Sequence, residues 1–218
     1  MKRSIITTLC ALSLLGTVQA QDTFDSELLQ LQHDWANANY QQQDDAQEQA
    51  FDDLAVAANE FVTRYPERAE AHIWKGIILS TQAGVEGGLG ALGLAKDSRA
   101  ELELALTIDP TALDGSAYTS LGTLYYKVPG WPISFGDDDL ARENLEKALA
   151  LNPHGIDPNF FYGEFLYEEG EYARAVEHLN KALNAPARPT RPLADSERRK
   201  EVEQLLAKVN KKLKKRRS

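Results

Sequence analysis

Residues 99–110 read RAELELALTIDP and residues 142–153 read RENLEKALALNP. The two segments agree at the arginine, at two leucines, at one glutamate, at an alanine and at the closing proline. A third copy, VEHLNKALNAP, ends at Pro186. Leu145 and Leu179 are 34 residues apart, as are Ala148 and Ala182. In each copy Leu and Ala recur at i, i+3 and i+4, the stripe of a helix buried along one face. Asp109-Pro110 and Asn152-Pro153 then stop the helix, because proline cannot continue it and pushes its predecessor toward extended geometry. Self-similarity at this period implies stacked supersecondary units that cannot bury their apolar faces alone.

Gly76 lies ten residues after Pro66, and Gly163 ten after Pro153. A small residue at this point lets the first helix of one hairpin approach its neighbour closely. Residues 165–175, FLYEEGEYARA, read as helix, tight turn and helix. With Gly163, Ala175, Leu179 and Ala182 on its small and apolar signature positions, the chain resembles the tetratricopeptide repeat family over residues 45–186. That resemblance implies an all-α, right-handed superhelical array of antiparallel hairpins, about four here. Residues 28–40 and 46–65 read as a further helical pair in poorer register. Residues 195–213 read as a final capping helix, with Asp195 or Ser196 as N-cap and Val202, Leu205, Leu206, Val209 and Leu213 at helical spacing.

Two stretches break the period. Leu102 to Leu145 is 43 residues and Ala58 to Leu102 is 44, each well beyond 34. The excess falls on the glycine-rich residues 83–94 and on residues 128–137, VPGWPISFGD, both expected as loops between the two helices of a hairpin. Successive turns of a stacked array lie along one edge, so the two insertions are expected to be neighbours. Five glycines within residues 84–93 permit close backbone approach, while Trp131 and Phe135 offer large contact area. Two uses stand side by side for the aromatic pair, a plug between longer helices or a contact for a ligand or partner. Neither insertion is a phosphate loop, since no Gly-Lys-Ser/Thr follows and no strand precedes. The run Asp137, Asp138, Asp139 reads as the start of a helix capped by Asp137.

The GWPISFGDDD insertion inside such an array is similar to that of the T-component proteins of tripartite ATP-independent periplasmic (TRAP) transporters. The resemblance implies an all-helical periplasmic protein that meets a solute-binding protein or its ligand.

Residues 1–20 carry Lys2 and Arg3, then an apolar run, then Val18-Gln19-Ala20, the pattern of a Sec signal peptide cleaved after Ala20. The run is short for a membrane span. Thr7-Thr8-Leu9 before Cys10 does not suit lipid attachment, so no lipid anchor is expected. Cys10 is the single cysteine, which leaves no disulfide for stability and makes a packed core the requirement. Overall, 24 basic residues stand against 33 acidic ones, a net charge of −9. From residue 198 to 218 the balance reverses, with ten basic residues against Glu201 and Glu203. An acidic body with a basic tail argues against nucleic-acid binding; the tail is a candidate for peripheral contact with anionic lipid. The domain expectation is therefore a leader over 1–20, a repeat body over 21–197 and a capping helix with basic tail over 198–218.

Chemistry is sparse. His33, His72, His154 and His178 lack metal-ligand spacing, and no nucleophile elbow or mature cysteine is present. No catalytic residue, metal or cofactor is expected, and the function expected is binding to an envelope protein or peptide through a concave groove. First helices of the hairpins would line that groove through His72, Lys75, Tyr118, Tyr125, Asn159 and Tyr162. The candidate contact residues are His72, Tyr118, Tyr125, Tyr126, Trp131, Phe135, Asn159 and Tyr162. The alternative is a transport accessory that closes Trp131 and Phe135 over a small solute.

Overall fold

A computed structural model describes the backbone of residues 9–217 and the side chains of residues 21–216 apart from Leu89. Among the described residues the regular elements are nine helices: α1 (Leu9–Gln41), α2 (Asp44–Arg64), α3 (Ala69–Glu86), α4 (Gly88–Ile108), α5 (Ala112–Lys127), α6 (Asp138–Leu151), α7 (Ile156–Glu168), α8 (Tyr172–Leu183) and α9 (Pro192–Arg217). They form four antiparallel hairpins, α1/α2 to α7/α8, followed by α9. The all-α array expected from the repeat is the fold observed. The leader expected over residues 1–20 lies outside the residues whose side chains are described; from Leu9 its backbone runs on into α1.

Local chemistry sets the helix ends. Asp137 accepts a hydrogen bond from the Leu140 amide at 2.9 Å and caps α6. The same helix closes at Asn152, ahead of Pro153. Between α7 and α8, Gly170 adopts φ +74, a left-handed conformation suited to glycine. Ala175, Leu179 and Ala182 of α8 are fully buried, the stripe that its sequence period requires.

Within three hairpins the same glycine–leucine contact locks the two helices. A Cβ placed on Gly76 would stand 2.6 Å from Leu102 Cγ, one on Gly122 2.6 Å from Leu145 Cγ, and one on Gly163 2.8 Å from Leu179 Cγ. A methyl group cannot fit at such distances, so glycine is what allows each leucine to seat against the opposite backbone.

Odd-numbered helices form an inner layer in which α1 touches α3, α3 touches α5, α5 touches α7 and α7 touches α9. Helix α9 also returns to α1, which closes the layer into a ring. Ala194 of α9 is buried in the apolar cluster built by Phe24, Trp35, Phe61 and Trp74 of α1, α2 and α3. At the same junction His33 of α1 lies 2.6 Å from the Thr190 carbonyl, its Nε2 placed to donate.

Three sequence expectations need correction. Residues 83–94 are not a loop: they turn at Gly87 and Gly88, both at φ +63, and otherwise extend α3 and α4 by added turns. Here the glycines are outweighed by Val85, which keeps the apolar spacing of α3, and by Leu92 and Ala95, which keep that of α4. The last helix starts at Pro192, not near Asp195, because proline suits the first helical position. The boundary drawn at residue 198 therefore falls inside α9. No helix among the described residues is long and apolar enough to cross a membrane.

Candidate functional site

The ring of inner helices encloses a cavity of about 610 Å³, within the range of small-molecule sites. Trp35 and Tyr40 of α1, Trp74 and Ile77 of α3, Leu124 of α5 and Phe161 of α7 form its aromatic and aliphatic wall. Both insertions reach it. Gly84, Gly88, Ala91 and Leu92 contribute from the first, and Val128 and Pro129 from the second. The fourth side is polar and comes from the α8–α9 connection and α9, through Arg188, Arg191, Arg198 and Glu201, together with Asp157 at the start of α7.

These charges form an ordered network. Arg188 donates from its backbone amide and its Nε to the Asp195 carboxylate, both at 2.7 Å, and from Nη1 to Asp157 at 2.7 Å. Arg198, 9 % exposed, donates to Asp157 at 3.1 Å and to Glu201 at 2.7 Å, while its guanidinium lies 4.6 Å from the ring centres of Phe160 and Phe161. Burial acts to raise the Asp157 carboxyl, but the guanidiniums of Arg198, Arg188 and Arg191 outweigh it and hold the group at about 2. Burial pushes the Tyr40 phenol the other way, up to about 12. Glu201 is raised too, by burial first, against the pull of Arg198.

A pH dependence follows. Because the folded Asp157 value lies below the ordinary carboxyl value of about 3.9, its contribution is fully present above that value. It is lost as pH falls from about 4 to about 2, and is on the order of 2 kcal/mol. Urea unfolding followed across this window should show the loss in the wild-type protein and a flatter profile in Asp157→Asn; parallel profiles would remove Asp157 from the account.

The sequence-predicted contact residues scatter. His72, Asn159 and Tyr162 are buried, so they are not groove contacts. His72 Nε2 faces the Pro66 carbonyl at 2.9 Å and its Nδ1 faces Glu101 at 2.6 Å. Asn159 donates to the Pro153 carbonyl at 2.9 Å and faces His178 at 3.1 Å. Both residues stand six after a helix-stopping proline and reach its carbonyl, which would otherwise be left without a partner. Both also meet the residue just before the hairpin's buried leucine, so each is a repeat-equivalent turn clamp. Tyr162 donates to Glu146 at 2.8 Å and receives Arg174 at 2.8 Å. Lys75 pairs with Glu101 at 2.8 Å. Tyr118 is half-buried below Lys147.

The aromatic insertion divides in two. Phe135 plugs the space between α4 and α5, edge-on to Tyr125 at 5.9 Å and under Arg99 at 4.4 Å. Tyr126 is partly buried, donating to Glu164 at 2.6 Å, with its phenol raised by burial and then by that carboxylate. Trp131 and Ile133 point outward, 89 % and 66 % exposed, and stay clear of the cavity. They sit on a tight loop in which Gly136 donates to the Pro129 carbonyl at 3.0 Å and Asp137 to the Tyr125 carbonyl at 2.9 Å. The expected lid over a solute is therefore not what Trp131 makes here.

The cavity residues Trp35, Trp74, Asp157, Arg188, Arg191 and Arg198 escaped the sequence reading. A signal was present in residues 185–192, APARPTRP, where arginines alternate with chain-stiffening prolines. Among the described residues no group of three or more His, Cys, Asp or Glu side chains could hold a metal ion.

Residues 133–191, from the aromatic insertion to the arginine-bearing connection, match the tetratricopeptide repeat family. No curated protein matches the chain. Solved structures similar to it include that of MamA, 20% identical over 77% of this chain and 91% of that one, at a TM-score of 0.44. Another, described as a functional characterization of Pseudomonas aeruginosa pilF, is 16% identical over 90% of this chain and 93% of that one, at a TM-score of 0.36.

Proposed function

We propose that this protein is an exported, non-catalytic binding protein that holds a small molecule in its central cavity and serves as an accessory to a tripartite ATP-independent periplasmic transporter. The closed inner ring carries the proposal. Where an open array presents a groove to an extended peptide, here α9 returns to α1 and the space between is a 610 Å³ chamber with an apolar wall and one charged side. Binding in it needs no covalent step. Helical repeats of this kind generally bind protein partners, and the outward ridge of Trp131 and Ile133 is the surface on which a solute-binding protein would sit. The GWPISFGDDD motif that supports the transporter assignment is the same loop that holds this ridge.

Thermal unfolding of the purified protein against organic acids, sugars, amino acids and short peptides tests the chamber. A rise in melting temperature with some compound is expected, and Trp131→Ala should leave that rise intact while weakening crosslinking to an envelope partner. A protein that unfolds cooperatively and shifts with no compound overturns the solute proposal. Export is tested by sequencing the N-terminus from the envelope fraction, where Gln21 is expected first; intact Met1 in the cytoplasm overturns it.

A further inference from the structure

We infer that the ligand is an amphipathic organic monoanion, its carboxylate paired with Arg191 and its apolar body laid against Trp74, Phe161 and Leu92. This rests on the cavity being a ligand site, and adds which chemistry fits it. Of the four cationic side chains that line the chamber, three are already engaged. Lys127 pairs with Glu164 at 2.8 Å, Arg188 with Asp157 and Asp195, and Arg198 with Asp157 and Glu201. Arg191 has no hydrogen bond or ion pair through its side chain among the described residues. Its guanidinium lies 5.0 Å from the centre of the Trp74 ring, and its Nε is buried with no acceptor. A buried donor left unmade is costly, and more so on a charged group. Burial, and the repulsion of Arg188 and Arg198, weaken the proton affinity of Arg191 despite the attraction of Asp157, as befits a cation lacking a close counterion.

What satisfies a planar guanidinium fork is a carboxylate, bound through parallel N–H···O bonds. Several of the wall's own donors are already engaged. Ser80 and Thr81 both donate to the Ile77 carbonyl at 2.8 Å, Thr123 donates to the Thr119 carbonyl at 2.8 Å, and the Trp35 indole donates to Thr81 at 3.0 Å. These hydroxyls have spent their single hydrogens; Asn39, Ser116, Thr119 and Ser120 also line the chamber, so it is Arg191, and not a shortage of polar groups, that selects an anion. One open cation in an apolar chamber selects one negative charge, and a second carboxylate would be buried unpaired.

The test uses the tryptophans. Trp35 and Trp74 line the cavity and Trp131 does not, so in Trp131→Phe the remaining fluorescence reports on the chamber. The probes are octanoate, dodecanoate, the matched alcohols and octanedioate. The monocarboxylates are expected to change the fluorescence and to bind about tenfold or more tightly than the alcohols and the dianion. In Arg191→Gln that preference should vanish while alcohol binding persists; Arg191→Met, with its melting curve recorded, guards against misfolding of the first variant. Equal binding of acid and alcohol, or an unchanged preference in the Arg191 variants, overturns the anion and leaves the cavity as a binding site. Binding of sugars or amino acids in the thermal panel without the monocarboxylates does the same. No binding of any compound overturns both.

Discussion

Leu145→Ala should destabilise the protein by about 2–5 kcal/mol, the range for removing a leucine side chain from a sealed core. Leu145 is fully buried and sits over Gly122, where no Cβ occupies the space. The reciprocal change, Gly122→Ala, places a methyl group 2.6 Å from Leu145 Cγ and 3.0 Å from the Ala141 carbonyl oxygen, and should cost about 1–3 kcal/mol by overpacking. Together the two should cost less than their sum, since the new methyl occupies part of the volume that the shortened side chain vacates. Urea denaturation of the four proteins measures the coupling. Strict additivity would show that the glycine and the leucine act independently, against the geometry of the hairpin.

The second large effect is expected at Arg198. Arg198→Ala removes the shared donor of Asp157 and Glu201 and the cation that lies against both Phe160 and Phe161. Losing one partner of a buried ionic group costs about 3–5 kcal/mol, mostly from the charge left behind. Arg198→Lys should recover only part of this, because an ammonium cannot span two carboxylates with the geometry of a guanidinium fork. Since the network ties α9 to α7, the alanine variant should also be cut faster within residues 192–217 by a lysine- or arginine-specific protease. A loss below about 1 kcal/mol, the worth of an exposed pair, together with unchanged proteolysis, would mean that α9 is held by its apolar face alone.

The same contrast explains what could be read from the chain without coordinates. The hairpins were legible because their determinants are local and repeated: Gly76, Gly163 with Leu179, Leu145, and the prolines that close each repeat helix; Gly122, twelve residues after Pro110, fell outside that spacing. The cap at Asp137 was legible for the same reason. His72 and Asn159 were misplaced because a polar residue on a first helix looks like a groove residue until its distance from the preceding proline is counted. The stretch of residues 83–94 looked like a loop because glycine content outweighed spacing. Beyond the proline-spaced arginines of residues 185–192, nothing local announces the cavity, since Trp35, Trp74, Asp157 and Arg191 come from four separate segments and meet only when α9 touches α1.

The contact between α1 and α9 has a consequence for how the architecture can vary. An open repeat array can gain or lose a unit at little cost, because each unit sees only its neighbours. Here α9 meets α1 after four hairpins, so a change in their number would disturb that contact and the cavity beside it. Gaining or losing a unit, which an open array tolerates, would therefore cost this fold its α1–α9 contact. The longer α3 and α4 and the loop bearing Trp131, the two places where the sequence departs from its period, leave the number of hairpins unchanged.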